Sequence, residues 1–394
     1  MMPDVCDELK RNCIVIVGGG PVGLVLSLLL AKQGVPSTVL EARKQGAANQ
    51  DTRALALSFG TRRILEKLGV WQPLALHATA INTIHVSQKG SIGRSVLHAH
   101  DYDQEALGYV LSYGALCSVL NAELAQFPII YLIDEAEAEA ITHDDNHATV
   151  RYVRHGESRQ LGSALAVLAD GGRSLEAVAG LKRDTKEYGH DALISKVRAE
   201  LPHNNIAYER FTANGPMALL PNGEHDFSLV WTGKKELIAP LLTLSDAEFL
   251  AQFHAQFGDR VGRFVSVEKR MTFPLKLSQL AESSTPHLVV IGNAAQTMHP
   301  VAGQGFNVGL RDAEVLARQI VNASADLGSQ EMLAAYRASR KTDTKNGLLF
   351  TDFLVNIFSN DILGISALRS AGIGLFDLVT PIKRHLVSKM SFGK

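Results

Sequence analysis

A chain of 394 residues exceeds what one ordinary hydrophobic core supports, so two joined folding units with a helical extension are expected. The composition, 46% hydrophobic and 20% charged, is that of a globular protein and excludes a disordered or collagen-like chain. A formal net charge of −1, with acids and bases spread along the chain, excludes the concentrated positive field that nucleic-acid binding requires.

From Cys13 to Ala31 the chain is uncharged and follows Lys10 and Arg11, a pattern open to reading as a signal anchor. Gly18, Gly19, Gly20 and Pro21 split that run, however, and predict a buried parallel strand (Asn12–Val17), a tight turn and a helix (Pro21–Gln33). Gly34 stops the helix and a second strand follows at Ser37–Glu41. A further apolar strand, Ala164–Leu168, runs into Asp170-Gly171-Gly172. Next come Ala207–Phe211, Met217–Leu220 and Phe227–Thr232, short segments punctuated by Asn-Gly pairs, the pattern of an antiparallel sheet. His287–Ile291 is another strand, ending in Gly292-Asn293-Ala294-Ala295. Helices are expected from Asn307 through Ile320 and over Met332–Lys345, and the tail from Leu348 is apolar and aromatic, interrupted by Gly364, Gly372 and Gly374. In open α/β sheets ligands sit beyond the carboxyl ends of strands, so the three small-residue turns can converge on one extended ligand from distant parts of the chain.

The string Gly18-Gly-Gly20-Pro-Val-Gly23 satisfies G-x-G-x-x-G, in which glycines let the backbone turn tightly, approach a pyrophosphate and pack helix on strand. It follows a strand, opens a helix and is answered by Glu41 at the end of the next strand, where a carboxylate can hold an adenosine ribose. That carboxylate disfavours the 2′-phosphate of NADP. The choice between NAD and FAD rests on the other two turns, which a nicotinamide dehydrogenase does not need. The loop from Met298 through Gly303, Gly305, Phe306 and Asn307 opens a helix and suits a flat ring laid against backbone amides. FAD is therefore the expected cofactor.

Together the strings VGGGPVGL, DTRALALS, ADG, GPMALLP, SLVW and GNAAQTMHPVAGQGFNVGLRDAE resemble the class A flavoprotein monooxygenases, closest to the ubiquinone-biosynthesis hydroxylases, along nearly the whole chain. The resemblance implies an α/β fold: a Rossmann-type FAD-binding domain with an inserted antiparallel-sheet substrate domain and C-terminal helices. The division it implies is 1–75, 105–178 and 266–340 for the FAD-binding domain, 76–104 and 179–265 for the substrate domain, and 341–394 for the extension. By the same resemblance Gly18, Gly20 and Gly23 face the pyrophosphate, Glu41 the ribose, Arg43 the adenosine end and Arg53 the pyrophosphate or ribityl region. Asp170 and Gly171 match the family's Asp-Gly motif for FAD and pyridine nucleotide, and Pro300, Gly303, Gly305, Phe306 and Asn307 form the flavin loop. Two positions depart from the pattern. Asn293 stands where the broader family has Asp, and its amide can still hydrogen-bond a ribityl hydroxyl. Leu175-Glu176-Ala177 stands where the motif usually supplies an arginine, leaving the NAD(P)H contact unassigned.

The implied reaction uses NAD(P)H and O2: hydride goes to the flavin N5, oxygen reacts at C4a, and the hydroperoxide hydroxylates the ring of a polyprenylated (methoxy)phenol. The alternatives are a sister hydroxylase acting at another ring position and a non-catalytic flavin-binding subunit. No catalytic side chain follows from the resemblance; His299 and Gln296, on the loop nearest the expected ring, are the candidates. The implied partners are the prenylated phenol and other ubiquinone-biosynthesis proteins. Cys6, Cys13 and Cys117 form no C-x-x-C pair and no zinc spacing, which fits a reducing, cytoplasmic compartment. No metal is expected, because neither His98, His100, Asp101 and Asp103 nor His143, Asp144 and Asp145 has a metal-site spacing. Lys383, Arg384 and Lys389 beside apolar faces give the tail a second reading, peripheral contact with the inner face of a membrane.

Overall fold

The computed structural model describes residues 13–90, 94–178, 181–297, 304–323 and 326–343. The β-branched run Ile14–Val17 is buried along its whole length and pairs in parallel with Ser37–Leu40 on one side and Leu165–Leu168 on the other. Two-sided burial is what a continuous apolar strand without alternation requires. Leu288–Val290 extends the sheet beyond Leu165–Leu168, and Ile130–Ile133 closes the opposite edge. The strands preceding all three small-residue turns are thus neighbours, so the turns emerge side by side at one sheet edge. Pro21 opens the helix Pro21–Ala31, which is buried on nearly every side because the sheet lies beneath it and the Gln304–Ala323 helix lies against it.

A second sheet draws strands from distant parts of the chain, in the order Gln296–Thr297, Met271–Leu280, Arg183–Ala199, Asp226–Lys234, Gly215–Pro221, Ile206–Thr212, Thr83–Gln88 and Arg94–His98, with Phe264–Val267 also pairing to Arg183–Ala199. The three strands expected in this region are present, but the sheet is mixed: Ile206–Thr212 runs antiparallel to Gly215–Pro221 and parallel to Thr83–Gln88. The helix Asp246–Phe257 covers one face with Phe249, Phe253 and Phe257, all fully buried against Trp231 and Phe264. The other face meets a small sheet of Ala54–Ser58, Gly108–Ser112 and Thr79–Ile81, where Ile81 and Val110 pack on Ala207, Ile84 and Leu220. A third antiparallel sheet, Ala136–His143, Ala148–Arg154 and Glu157–Ser163, lies over the parallel sheet and buries Ile141, Val150 and Tyr152 against Val15, Val17 and Leu168.

The helix expected from Asn307 spans Gln304–Ala323, and a further helix covers residues 330–343. The tail beyond, with Lys383, Arg384 and Lys389, lies outside the described residues. Among the described residues no helix is long and apolar enough to cross a membrane. The Cys13–Ala31 run is the strand, turn and helix read from its glycines.

Candidate cofactor site

The turn after Ile14–Val17 is held open by two glycines. At Gly18, with φ +114°, a β-carbon would lie 2.6 Å from the backbone of Asp170, so this turn and the Asp-Gly turn touch. At Gly23 a β-carbon would lie 2.0 Å from Gly18 O, which is why the helix can pack onto the turn only without a side chain there. The helix N-terminus has no capping side-chain hydrogen bond and no acid in its first turn. Its amides and positive dipole end suit an anionic group.

Glu41 directly follows the strand Ser37–Leu40 and lines the same cleft. Its Oε2 accepts from Gly19 N at 2.9 Å, and its Oε1 accepts from Arg43 N at 3.0 Å and Arg43 Nε at 2.7 Å. Oε1 is thereby filled, and Oε2 keeps lone-pair capacity for a further hydroxyl. The Glu41 hydrogen bond raises the Arg43 guanidinium above its ordinary value and keeps it charged. Across the cleft, Asp170 closes its own turn, Oδ1 accepting from Gly172 N at 2.8 Å and Oδ2 from Ser174 N at 2.6 Å.

These groups line one cleft of about 250 Å³. It runs from Glu41 and Arg43, past Gly18, Gly20, Asp170 and Gly171, to Asn293, Gly305 and Phe306. Sequence segments nearly three hundred residues apart thus meet around one elongated space. The cradle that glycine alone permits, the uncapped helix end and the distal carboxylate fit the pyrophosphate and ribose of a dinucleotide.

Other expected site residues stand nearby without lining this cleft. Arg53 is paired with Asp51, its Nε donating to both carboxylate oxygens at 3.0 Å, and stacks over Tyr113 at 5.2 Å. Asn307 is buried: its Oδ1 accepts from Ser58 N at 2.8 Å and Thr61 Oγ1 at 2.7 Å, and its Nδ2 donates to Ala56 O at 2.9 Å. It locks the first turn of the Gln304–Ala323 helix onto the small sheet. Gln296 is buried with its amide 3.4 Å from Asp312 Oδ2. His299, Pro300 and Gly303 lie outside the described residues. Sequence patterns did not single out Tyr113, Glu137, Arg173 and Ser174, which also line the cleft. Arg173, directly after the Asp-Gly-Gly turn, was the legible one; Tyr113 and Glu137 arrive through tertiary packing alone.

The histidine and aspartate groups have ordinary partners. His98 Nδ1 lies 3.1 Å from Thr83 Oγ1, His143 Nε2 lies 3.1 Å from Thr285 Oγ1, and Asp144 Oδ1 accepts from the backbone of Asn146 and His147. Among the described residues no three His, Cys, Asp or Glu side chains group to hold a metal ion.

Comparison with known proteins places this architecture. The FAD binding domain family matches residues 11–348. Ubiquinone hydroxylase UbiL of Rhodospirillum rubrum is 34% identical over 394 aligned residues, covering 96% of this chain and 90% of that protein. The 3-demethoxyubiquinol 3-hydroxylase of Escherichia coli is 28% identical, covering 94% and 96%. Among solved structures, p-nitrophenol 4-monooxygenase PnpA from Pseudomonas putida superimposes with a TM-score of 0.80 at 18% identity, covering 96% and 97%, a likeness of fold. Parallel sheet, dinucleotide cleft and appended mixed sheet therefore define a flavoprotein of the aromatic-hydroxylase fold that uses FAD. The chain belongs to the FAD-binding family, in its branch of ubiquinone-biosynthesis hydroxylases, and is a monooxygenase.

Proposed function

We propose that this enzyme hydroxylates the aromatic ring of a polyprenylated (methoxy)phenol in ubiquinone biosynthesis, with NAD(P)H and O2 as co-substrates; the reading stands closest to 2-octaprenyl-6-methoxyphenol hydroxylase. The observation that carries it is the position of the cleft's far end. Asn293, Gly305 and Phe306 lie there, and Phe306 directly precedes Asn307, which is bonded to the small sheet that packs on an apolar face of the mixed sheet. A ring bound at that end would lie close to a surface suited to an apolar phenol.

In this reading Gly18, Gly20 and Gly23 admit the pyrophosphate to the helix N-terminus, Glu41 accepts from the ribose, and Arg43 borders the adenosine end. Asp170 and Gly171 shape the middle of the cleft, and the Asn293 amide hydrogen-bonds the ribityl chain. Gly305 and Phe306 border the isoalloxazine, with Pro300 and Gly303 assigned to the same loop. Bound FAD supplies hydride acceptance from NAD(P)H and activation of O2. The chain binds and orients the ring, excludes water, and through the amides opening the Gln304–Ala323 helix favours negative charge near it by about 1–2 kcal/mol. The substrate lipid places the work at the cytosolic face of a membrane, and residues 341–394 are the segment assigned to reach it.

Lipid extracts of cells lacking the protein test the reading. Ubiquinone should fall and a prenylphenol short of one ring hydroxyl should accumulate, its mass spectrum fixing the ring position. In a reconstituted reaction under labelled oxygen gas, one labelled atom should enter the ring. Label arriving from water would exclude monooxygenation, and undiminished ubiquinone in a strain without a second hydroxylase would exclude the pathway.

A further inference from the structure

One face of the mixed sheet carries a carboxyl group that nothing described so far uses. Along Ile206–Thr212 side chains alternate between faces. Tyr208 and Arg210 lie on the side of the Asp246–Phe257 helix, Tyr208 edge-on to Phe257 at 5.6 Å and Arg210 Nε donating to Gln256 O at 3.1 Å. Ala207, Glu209 and Phe211 take the other face, where Ala207 packs on Ile81 and Val110 of the small sheet. Glu209 is flanked by Val86 on one neighbouring strand and Ala218 on the other, and the row continues through Val230, Ile194 and Met271. None of these side chains offers a hydrogen bond.

Glu209 stays partly accessible, yet burial by the surrounding protein pushes its carboxyl up to about 8, with no charged group contributing. The charges on adjoining elements are engaged elsewhere: Arg210 reaches Gln256, Lys196 pairs with Asp226 at 3.2 Å, and Arg260 acts on Tyr208, Arg210 and His85 on the helix side. The small sheet presents Ile81, Val110 and Ala54 toward this face, none of them titratable. A second polar group here also lacks a partner. Gln88 is 9% exposed, and its Oε1 is buried with no hydrogen-bond partner among the described residues. It pairs with Phe211, which puts it diagonal to Glu209 on the same face, roughly 7–8 Å away.

A hydroxyl-bearing ring can donate to Gln88 Oε1 and to the Glu209 carboxylate once it is ionised. We propose that this face is the phenol subsite and that Glu209 receives the phenolic O–H of the substrate, with Gln88 as the neighbouring acceptor; this rests on the ring hydroxylation proposed above. The phenolic O–H bond breaks, the proton passes to a Glu209 carboxylate oxygen, and the electron pair left on the phenolic oxygen enriches the ring positions ortho and para to it. After oxygen transfer the proton returns to that oxygen. A phenol near pH 10 and an ordinary carboxylate near 4 differ by about six pKa units, a mismatch that burial of Glu209 narrows to about two.

The test uses FAD-loaded protein and a 2-methoxyphenol carrying one prenyl unit. Glu209→Gln should keep its flavin and melting temperature while ring hydroxylation falls about 100-fold. The base acts when ionised, so the wild-type rate should rise through about pH 8 and the Gln variant should lose that rise, with Glu209→Asp recovering part of the rate. Wild-type rates and an unchanged pH profile in Glu209→Gln overturn the proposal. Should that variant fail to fold, Gln88→Leu decides: a raised KM with kcat kept supports the subsite, and an unchanged KM overturns it. Binding of the phenol, read without NAD(P)H from the flavin absorbance, should tighten in wild type as pH rises through about 8 and the carboxylate ionises, and should stay flat across that range in Glu209→Gln. If the wild type hydroxylates no phenol, the proposed reaction fails, while this titration still judges Glu209.

Discussion

At Gly305 a β-carbon would meet only Asn293 Oδ1 among the described residues, at 3.4 Å, an ordinary contact. The protein can accept that atom, but the space it enters is the cleft. Gly305→Val should therefore leave the circular dichroism spectrum and melting temperature near wild type while lowering the flavin content of the purified protein. Full flavin content would place the ring elsewhere. Gly23 behaves differently because the obstruction is the Gly18 carbonyl, 2.0 Å from a β-carbon, so Gly23→Ala forces backbone from backbone and should cost about 3 kcal/mol as well as flavin. Glu41→Lys removes the acceptor for Gly19 N and sets an ammonium beside Arg43. Its flavin occupancy should fall, measured as flavin absorbance per mole of protein; occupancy at wild-type affinity would remove Glu41 from the ribose.

Between elements, a buried ionic cluster ties the Gly292–Thr297 turn to the last described helix. Asp312 Oδ2 accepts from Gly292 N at 3.0 Å, and its Oδ1 accepts from Arg340 Nε at 2.6 Å. Asp343 in turn joins Arg340 to Arg311, whose Nε donates at 2.8 Å. Arg340→Ala leaves two buried carboxylates short of their shared cation and should lower stability by about 3–5 kcal/mol in urea denaturation. A loss under about 1 kcal/mol would show that Arg311 suffices. None of this was legible beforehand, because Asp312 and Arg340 are 28 residues apart and nothing local marks them as partners. The glycine turn and Glu41 were legible because turn, helix and acid fall within one βαβ unit whose spacing the ligand dictates. The Asp246–Phe257 helix carried a readable signal, a Ser245–Glu248 capping box with phenylalanines at 249, 253 and 257, yet stood outside the expected elements. Strand alternation in Ala207–Phe211 gave the period but not the environment of Glu209. That environment depends on the parallel pairing with Thr83–Gln88 and on a small sheet built from residues near 55, 80 and 110.

The two sheets are joined by chain that serves both. The turn begun at Gly292, beside the parallel sheet, reaches Gln296 and Thr297, which pair with Gln279 and Ser278 of the mixed sheet. The cleft wall at Asn293 is part of that same turn. A ligand filling the cleft therefore grips the connection between the sheets, and its binding energy should stabilise both. The protein's two tryptophans can report this separately, since Trp71 is buried in the core beside the parallel sheet and Trp231 in the core of the mixed sheet. In Trp71→Phe and Trp231→Phe, thermal melts followed by the remaining tryptophan should share one midpoint, as one cooperative unit requires. Free FAD at a hundredfold excess over its Kd adds about 2.7 kcal/mol to the stability of the folded state, which should raise both midpoints together by a few degrees. If the Trp231 midpoint stays fixed while the Trp71 midpoint climbs, the sheets unfold independently and the bridging turn does not couple them.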